Sequence, residues 1–108
     1  MLFVVTAYDY TDPDAFDRRM AFRPAHMANG EKMMREGNFI FGGAILDDNH
    51  KMIGGVLVVD FNSREEIDAW LEKEPYVTEK VWEKIEVKRF LVPPQFLSFF
   101  PNYSAQAA

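Results

Sequence analysis

The residues best suited to chemistry in this 108-residue chain gather around His26, in the segment Arg23-Pro24-Ala25-His26. A helix through that segment, laid out at 100° per residue, puts Phe22, Arg23, His26, Met27, Gly30, Met33 and Met34 in one sector. Glu31, Lys32, Arg35 and Glu36 fall outside it, so His26 is expected to face inward. An imidazole in an apolar sector needs a hydrogen-bond partner, because leaving it unpaired costs about 1–3 kcal/mol. If the helix restarts at Pro24, His26 lies in its first turn, where the positive end of the helix dipole favours the neutral ring, a form able to take up a proton. A structural histidine bonded to a backbone carbonyl is the competing reading. Arg23 shares the sector, and its guanidinium suits a carboxylate or phenolate substrate. Pairing with a surface acid is its alternative.

Two other groups of residues attract attention. Asp47, Asp48 and His50 carry ligand-type atoms, but they sit in a short polar loop without a recognised metal spacing, and no metal is assigned to them. Gly42-Gly43 and Gly54-Gly55 lack the strand-to-helix setting of a phosphate-binding loop. They point to close backbone approach or a bulge, with room left for a ligand.

The elements that must position these residues follow from periodicity. Leu2 to Tyr8 reads as a first strand, closed by turn chemistry at Asp9 to Asp14. Pro13 suits a first helical position with Asp12 as N-cap, and the helix is expected to run to about Glu36, kinked or restarted at Pro24 and capped by Gly37. Phe39 to Leu46 and Lys51 to Phe61 are the second and third strands, paired antiparallel through a hairpin. Ser63-Arg64-Glu65-Glu66 is a capping box opening a helix with Ile67, Trp70 and Leu71 inward. A last strand spans Trp82 to Leu91, with Ile85, Val87 and Leu91 on its buried face and Lys84, Glu86 and Lys88 on its wet face.

The order βαββαβ defines an α+β, ferredoxin-like split motif with both helices on one face of a four-stranded antiparallel sheet. Strand three is apolar at nearly every position, which implies cover on the other face as well, most simply from a second subunit. Residues 1–91 are thus expected to form one domain. Residues 92–108, with Phe96, Leu97, Phe99, Phe100 and Tyr103, form an apolar tail expected to dock on the domain or on a neighbour.

Composition narrows the function classes. A formal charge of −5, without a dense basic cluster, disfavours nucleic acid. The absence of cysteine removes thiolate nucleophiles, disulfides and cysteine-bound zinc. The longest apolar run, Met52 to Val59, is far short of a membrane span, so a cytoplasmic protein without membrane partners is expected. The high aromatic content, with 10 Phe, suggests a crowded core, a subunit interface or an apolar pocket.

Arg23-Pro24-Ala25-His26, Gly42-Gly43-Ala44-Ile45-Leu46-Asp47, Met52-Ile53-Gly54-Gly55 and Glu74-Pro75-Tyr76, in this order and spacing, resemble the YCII-related family across Leu2 to Phe90. The resemblance implies a dimeric α/β-barrel arrangement with a pocket between helices and sheet. It also implies a histidine–aspartate pair as active site, of which the histidine maps to His26. The aspartate, from an Asp-Pro-Tyr or Asp-Pro-Phe turn, maps to Glu74, a departure that keeps the carboxylate on a stem one methylene longer. A carboxylate beside an imidazole orients the ring and stabilises its protonated form. A residue before proline is also placed to cap the following turn. Arg23, Gly43 and Tyr76, from the same motifs, are the candidate substrate contacts. Relatives in the wider superfamily include muconolactone isomerases, dehydrochlorinase-type enzymes and monooxygenases of cyclic or aromatic compounds. The expectation is therefore proton-transfer isomerase or lyase chemistry without a cofactor, a non-catalytic small-molecule binding module or an oligomeric accessory protein being the alternatives.

Overall fold

The structure is a computed structural model that describes residues 1–99. Strands β1 (Leu2–Asp9), β2 (Phe39–Leu46), β3 (Met52–Asp60) and β4 (Trp82–Arg89) form one sheet in the order β2-β3-β1-β4. Every neighbouring pair is antiparallel. Helices α1 (Ala15–Arg35), α2 (Arg64–Leu71) and the single turn α3 (Pro75–Thr78) complete the ferredoxin-like α+β fold. Register assigns the two sheet faces, since residues directly opposite each other share one. Phe3, Val5 and Ala7 of β1 lie opposite Val59, Leu57 and Gly55 of β3, and with Met33, Ile67, Tyr76 and Val81 they form the main core beneath the helices.

The other face is covered unevenly. At one end Leu2 and Val58 are buried by Val92, with Ile40, Phe90 and Leu97 packed alongside. The segment after β4, including the 3-10 turn Pro94–Phe99, thus supplies part of the cover from the same chain. Farther along, Tyr8 is 47% and Val56 37% exposed. Phe100 and Tyr103 lie outside the described residues.

Several local expectations need correction. Helix α1 begins at Ala15 with Asp14 as N-cap and no side-chain cap bond. Asp12 is occupied elsewhere, binding Arg18 through both carboxylate oxygens at 2.7 Å. Pro24 neither ends nor restarts α1, which runs through it as one 21-residue helix. Pro24 has no N–H for the Met20 carbonyl, a local loss that anchoring on both flanks outweighs: Arg19 is buried before it and Met33 after it. His26 therefore sits about three full turns into the helix, and the first-turn dipole argument for its neutral state falls.

The far end of α1 behaves as its sequence indicates. Gly37 has φ +82°, its amide meets the Met34 carbonyl, and the Asn38 amide reaches back to Met33, a complete Schellman cap. In α2, the Ser63 hydroxyl accepts from the Glu66 amide at 3.2 Å. The Glu66 carboxylate reaches one residue farther back than a capping box requires, to the Asn62 amide at 3.0 Å. Asp9 belongs to β1, beyond a register shift after Tyr8, and is not part of the turn. β4 ends at Arg89, so Leu91 lies outside it and is 50% exposed. The close approach expected at the glycine pairs is found at one member of each. A Cβ on Gly42 would stand 2.5 Å from the Val56 carbonyl oxygen, and one on Gly54 2.3 Å from that of Ala7.

Candidate functional site

Helix α1 presents one line of side chains to α3 and the sheet, at Arg19, Phe22, His26, Asn29 and Met33, spaced three and four residues apart as a single helix face requires. The turn Glu74-Pro75-Tyr76 meets that line. Pro75 starts α3, and the Glu74 carboxylate, 1% exposed, accepts from the Tyr76 amide at 3.3 Å. The same carboxylate oxygen, Oε1, is hydrogen-bonded to His26 Nδ1, while Oε2 accepts from Asn29 Nδ2 at 2.9 Å. Glu74 thus caps α3 and holds the imidazole at once.

The Tyr76 ring is stacked on His26, with centroids 3.9 Å apart and planes within 6°, and Trp82 meets the imidazole edge-on at 5.4 Å. These contacts fix the ring plane, and the Glu74 bond fixes its rotation and assigns the proton to Nδ1. Nε2 has no hydrogen-bond partner among the described residues.

Arg19 lies two turns before His26 on α1 and is 4% exposed. It binds Asp9 at 2.7 Å through Nε and donates to the Gly54 carbonyl at 2.9 Å. Its guanidinium stands 4.9 Å from the Tyr76 ring centre, and the Tyr76 hydroxyl donates to the Arg19 carbonyl at 3.4 Å. Burial pushes the Tyr76 phenol above its ordinary pKa, against the opposing pull of the Arg19 and Arg23 cations. Tyr76 is therefore a neutral support for His26 and not a base.

A cavity of about 240 Å³ opens between α1, β2 and β3. His26, Glu74 and Tyr76 form its polar end, and Met33, Phe39, Leu57, Trp70 and Trp82 are among its apolar walls. All five residues singled out from the sequence, His26, Glu74, Arg23, Gly43 and Tyr76, line it. Arg23 is exposed at the cavity edge. It has no hydrogen-bond or ion-pair partner among the described residues, so the surface-acid alternative does not hold there. Gly43 contributes backbone only, and a Cβ placed on it would meet nothing within 4 Å. The indole N–H groups of Trp70 and Trp82 are the buried side-chain polar atoms without a partner among the described residues.

Asp47, Asp48 and His50 stand apart in the β2–β3 hairpin, where Asp47 Oδ1 accepts from the Asn49 and Lys51 amides at 2.8 and 2.9 Å. Sequence reasoning missed Arg19, Asp9 and Asn29. Arg19, seven residues before His26, and Asn29, three after it, share its helix face by spacing alone, whereas Asp9 at the end of β1 carries no such signal.

Similar proteins place the chain among known relatives. The chain is 32% identical over 96 residues to Protein YciI of Escherichia coli, an alignment covering 83% of this chain and 96% of that protein. It is 30% identical over 78 residues to aspercryptin biosynthesis cluster protein B of Emericella nidulans, covering 66% of this chain and 50% of that one. Among solved structures, 5-chloro-2-hydroxyhydroquinone dehydrochlorinase from Burkholderia phenoliruptrix AC1100, in complex with 2,5-dihydroxybenzoquinone, superposes with a TM-score of 0.75. Identity there is 23%, over 88% of this chain and 98% of that one, which establishes shared fold. The model of the YCII-related domain matches residues 1–91, and with the YciI alignment over most of both chains this chain belongs to the YCII-related family.

Proposed function

We propose that the chain is a small-molecule enzyme of the isomerase or lyase kind, acting by proton transfer on a cyclic, aromatic-derived substrate. The observation that carries this reading is the His26–Glu74 pair at the wall of an apolar cavity. With Nδ1 bonded to Glu74, His26 Nε2 takes a proton from a ring carbon, and the electron pair left behind forms a new double bond. In an isomerase the adjacent π bond shifts, and the imidazolium returns the proton to the far atom of that bond. In a lyase the electron pair expels a leaving group with its bonding electrons, and the imidazolium gives its proton to that group or to solvent. Glu74 stabilises the imidazolium meanwhile. The fold shared with a dehydrochlorinase and the match to a biosynthetic cluster protein support small-molecule chemistry of this kind. The reading includes a homodimer formed through the open sheet face, where Tyr8 and Val56 are exposed. It also takes residues 1–91 as the functional domain, residues 92–108 as an appended tail, and a cytoplasmic setting. Among the described residues no helix is long and apolar enough to cross a membrane.

The test is incubation with a panel of hydroxyquinones and unsaturated ring lactones in deuterated buffer, followed by NMR for conversion or deuterium wash-in. A positioned base contributes about 10²–10⁴-fold, so His26→Ala should slow the active member by that factor. Equal turnover by the variant overturns the assignment of His26. Saturable binding of every ligand, each returned unaltered, assigns the cavity to carriage instead.

A further inference from the structure

The reading above leaves open what kind of ring the cavity takes, and the charge around it is informative. The chain carries a formal charge of −5, a background that repels small anions. Inside the site the charges are spent on each other: Arg19 on Asp9, and Glu74 on His26, Asn29 and the Tyr76 amide. Arg23 is the exception among the site's cations. It borders the cavity, lies three residues before His26 on the same side of α1, and has no partner among the described residues. Its charge reaches Tyr76, where it opposes the upward push of burial on the phenol. Glu31 is the exposed carboxylate of the lining. It follows Arg23 by eight residues, or about 12 Å along a helix axis, beyond the ~8 Å screening length of physiological salt. Among the described residues the cavity is therefore polarised, with its unpaired cation at the His26 end.

Size and lining set the remainder of the ligand. An apolar cavity of ~150 Å³ accommodates benzene, so a cavity of about 240 Å³ holds one ring with small substituents. The walls offer flat aromatic and sulfur surfaces in Trp70, Trp82, Phe39 and Met33.

We propose that the cavity selects a single-ring organic anion, a carboxylate or a phenolate, with Arg23 as the residue that reads its negative oxygen beside His26. This rests on the cavity being the functional site, but not on which proton is moved. The chain has two tryptophans, both in the cavity wall, so their two indole ¹⁵N–H resonances report occupancy directly. Benzoate, 4-nitrophenolate and neutral benzamide are titrated against the full chain, its Arg23→Met variant and its His26→Asn variant. At least one of the two anions should shift an indole resonance with a Kd tenfold or more below that of benzamide, and which one does so separates carboxylate from phenolate. The margin should narrow as salt is raised and fall to within twofold in Arg23→Met, whose exposed, unpaired side chain leaves the fold intact in the same spectra. It should persist in His26→Asn. Benzamide binding as tightly as both anions, an unchanged margin in Arg23→Met, or no shift by either anion at millimolar concentration overturns the proposal. Turnover lost in His26→Ala alongside tight benzamide binding would remove the anion assignment and leave the proton-transfer reading standing.

Discussion

Helix α1 carries two buried ion-pair centres, seven residues apart and in contact with the same tyrosine, and they are finished to different degrees. Around Arg19 nearly every polar group is used. The guanidinium meets Asp9 twice, the Gly54 carbonyl and the Met52 sulfur, and the two side chains are only 4% and 8% exposed. Around His26 the acceptor side is equally full, with three donors directed at Glu74. The imidazole, however, is 19% exposed and keeps one nitrogen without a partner among the described residues, at the cavity. A guanidinium cannot lose its proton at working pH, whereas an imidazole can. The closed centre holds strand and helix together, and the open one retains a capacity for exchange with a ligand.

This contrast can be broken by experiment. The largest effect is expected at Arg19: Arg19→Met leaves Asp9 charged and buried, which should cost about 3–5 kcal/mol in urea unfolding. Glu74→Ala comes next, since it strands the Asn29 amide, the Tyr76 amide and the imidazole N–H, for about 1–3 kcal/mol. His26→Ala should cost only ~1 kcal/mol, a single hydrogen bond, because Glu74 retains two donors. A His26→Ala variant as unstable as Arg19→Met would erase the distinction between the centres.

The smallest effect is expected outside both centres, at the exposed Asp12–Arg18 pair. Its hydrogen bonds to Arg18 hold the Asp12 carboxyl down at about 2, against an ordinary 3.8. A depressed carboxylate contributes stability that is present above 3.8 and lost as pH falls toward 2. Asp12→Asn should therefore leave the neutral-pH midpoint nearly unmoved and make the decline across that window shallower. An unchanged decline would remove Asp12 from the acid response.

The two centres also differ in how far they could be read from sequence. Strand alternation, the hairpin and the Gly37 cap were legible because each depends on neighbours close in the chain. His26 was legible by helical phase, and its link to Glu74, 48 residues away, came from family resemblance. Nothing local announces that pairing. Arg19 and Asp9 were hidden because a charged residue at a helix start and one at a strand end both resemble ordinary surface positions. Only the packing of β1 against α1 makes them partners. Pro24 misled for the opposite reason. Its local cost is real, but the helix is held on both sides by contacts to distant elements, and the reasoning about His26 that began from a restart there failed with it.

The double use of Glu74 has a consequence for motion. The oxygen that holds the imidazole also closes the first turn of α3 through the Tyr76 amide. Ligand events at His26 and local opening of α3 are then thermodynamically linked. Filling the cavity in a way that tightens Glu74 on the imidazole should slow solvent hydrogen exchange at the Tyr76 amide, and Glu74→Gln should speed it. The amide clock of one short turn would then register occupancy of a neighbouring chamber before any product has formed.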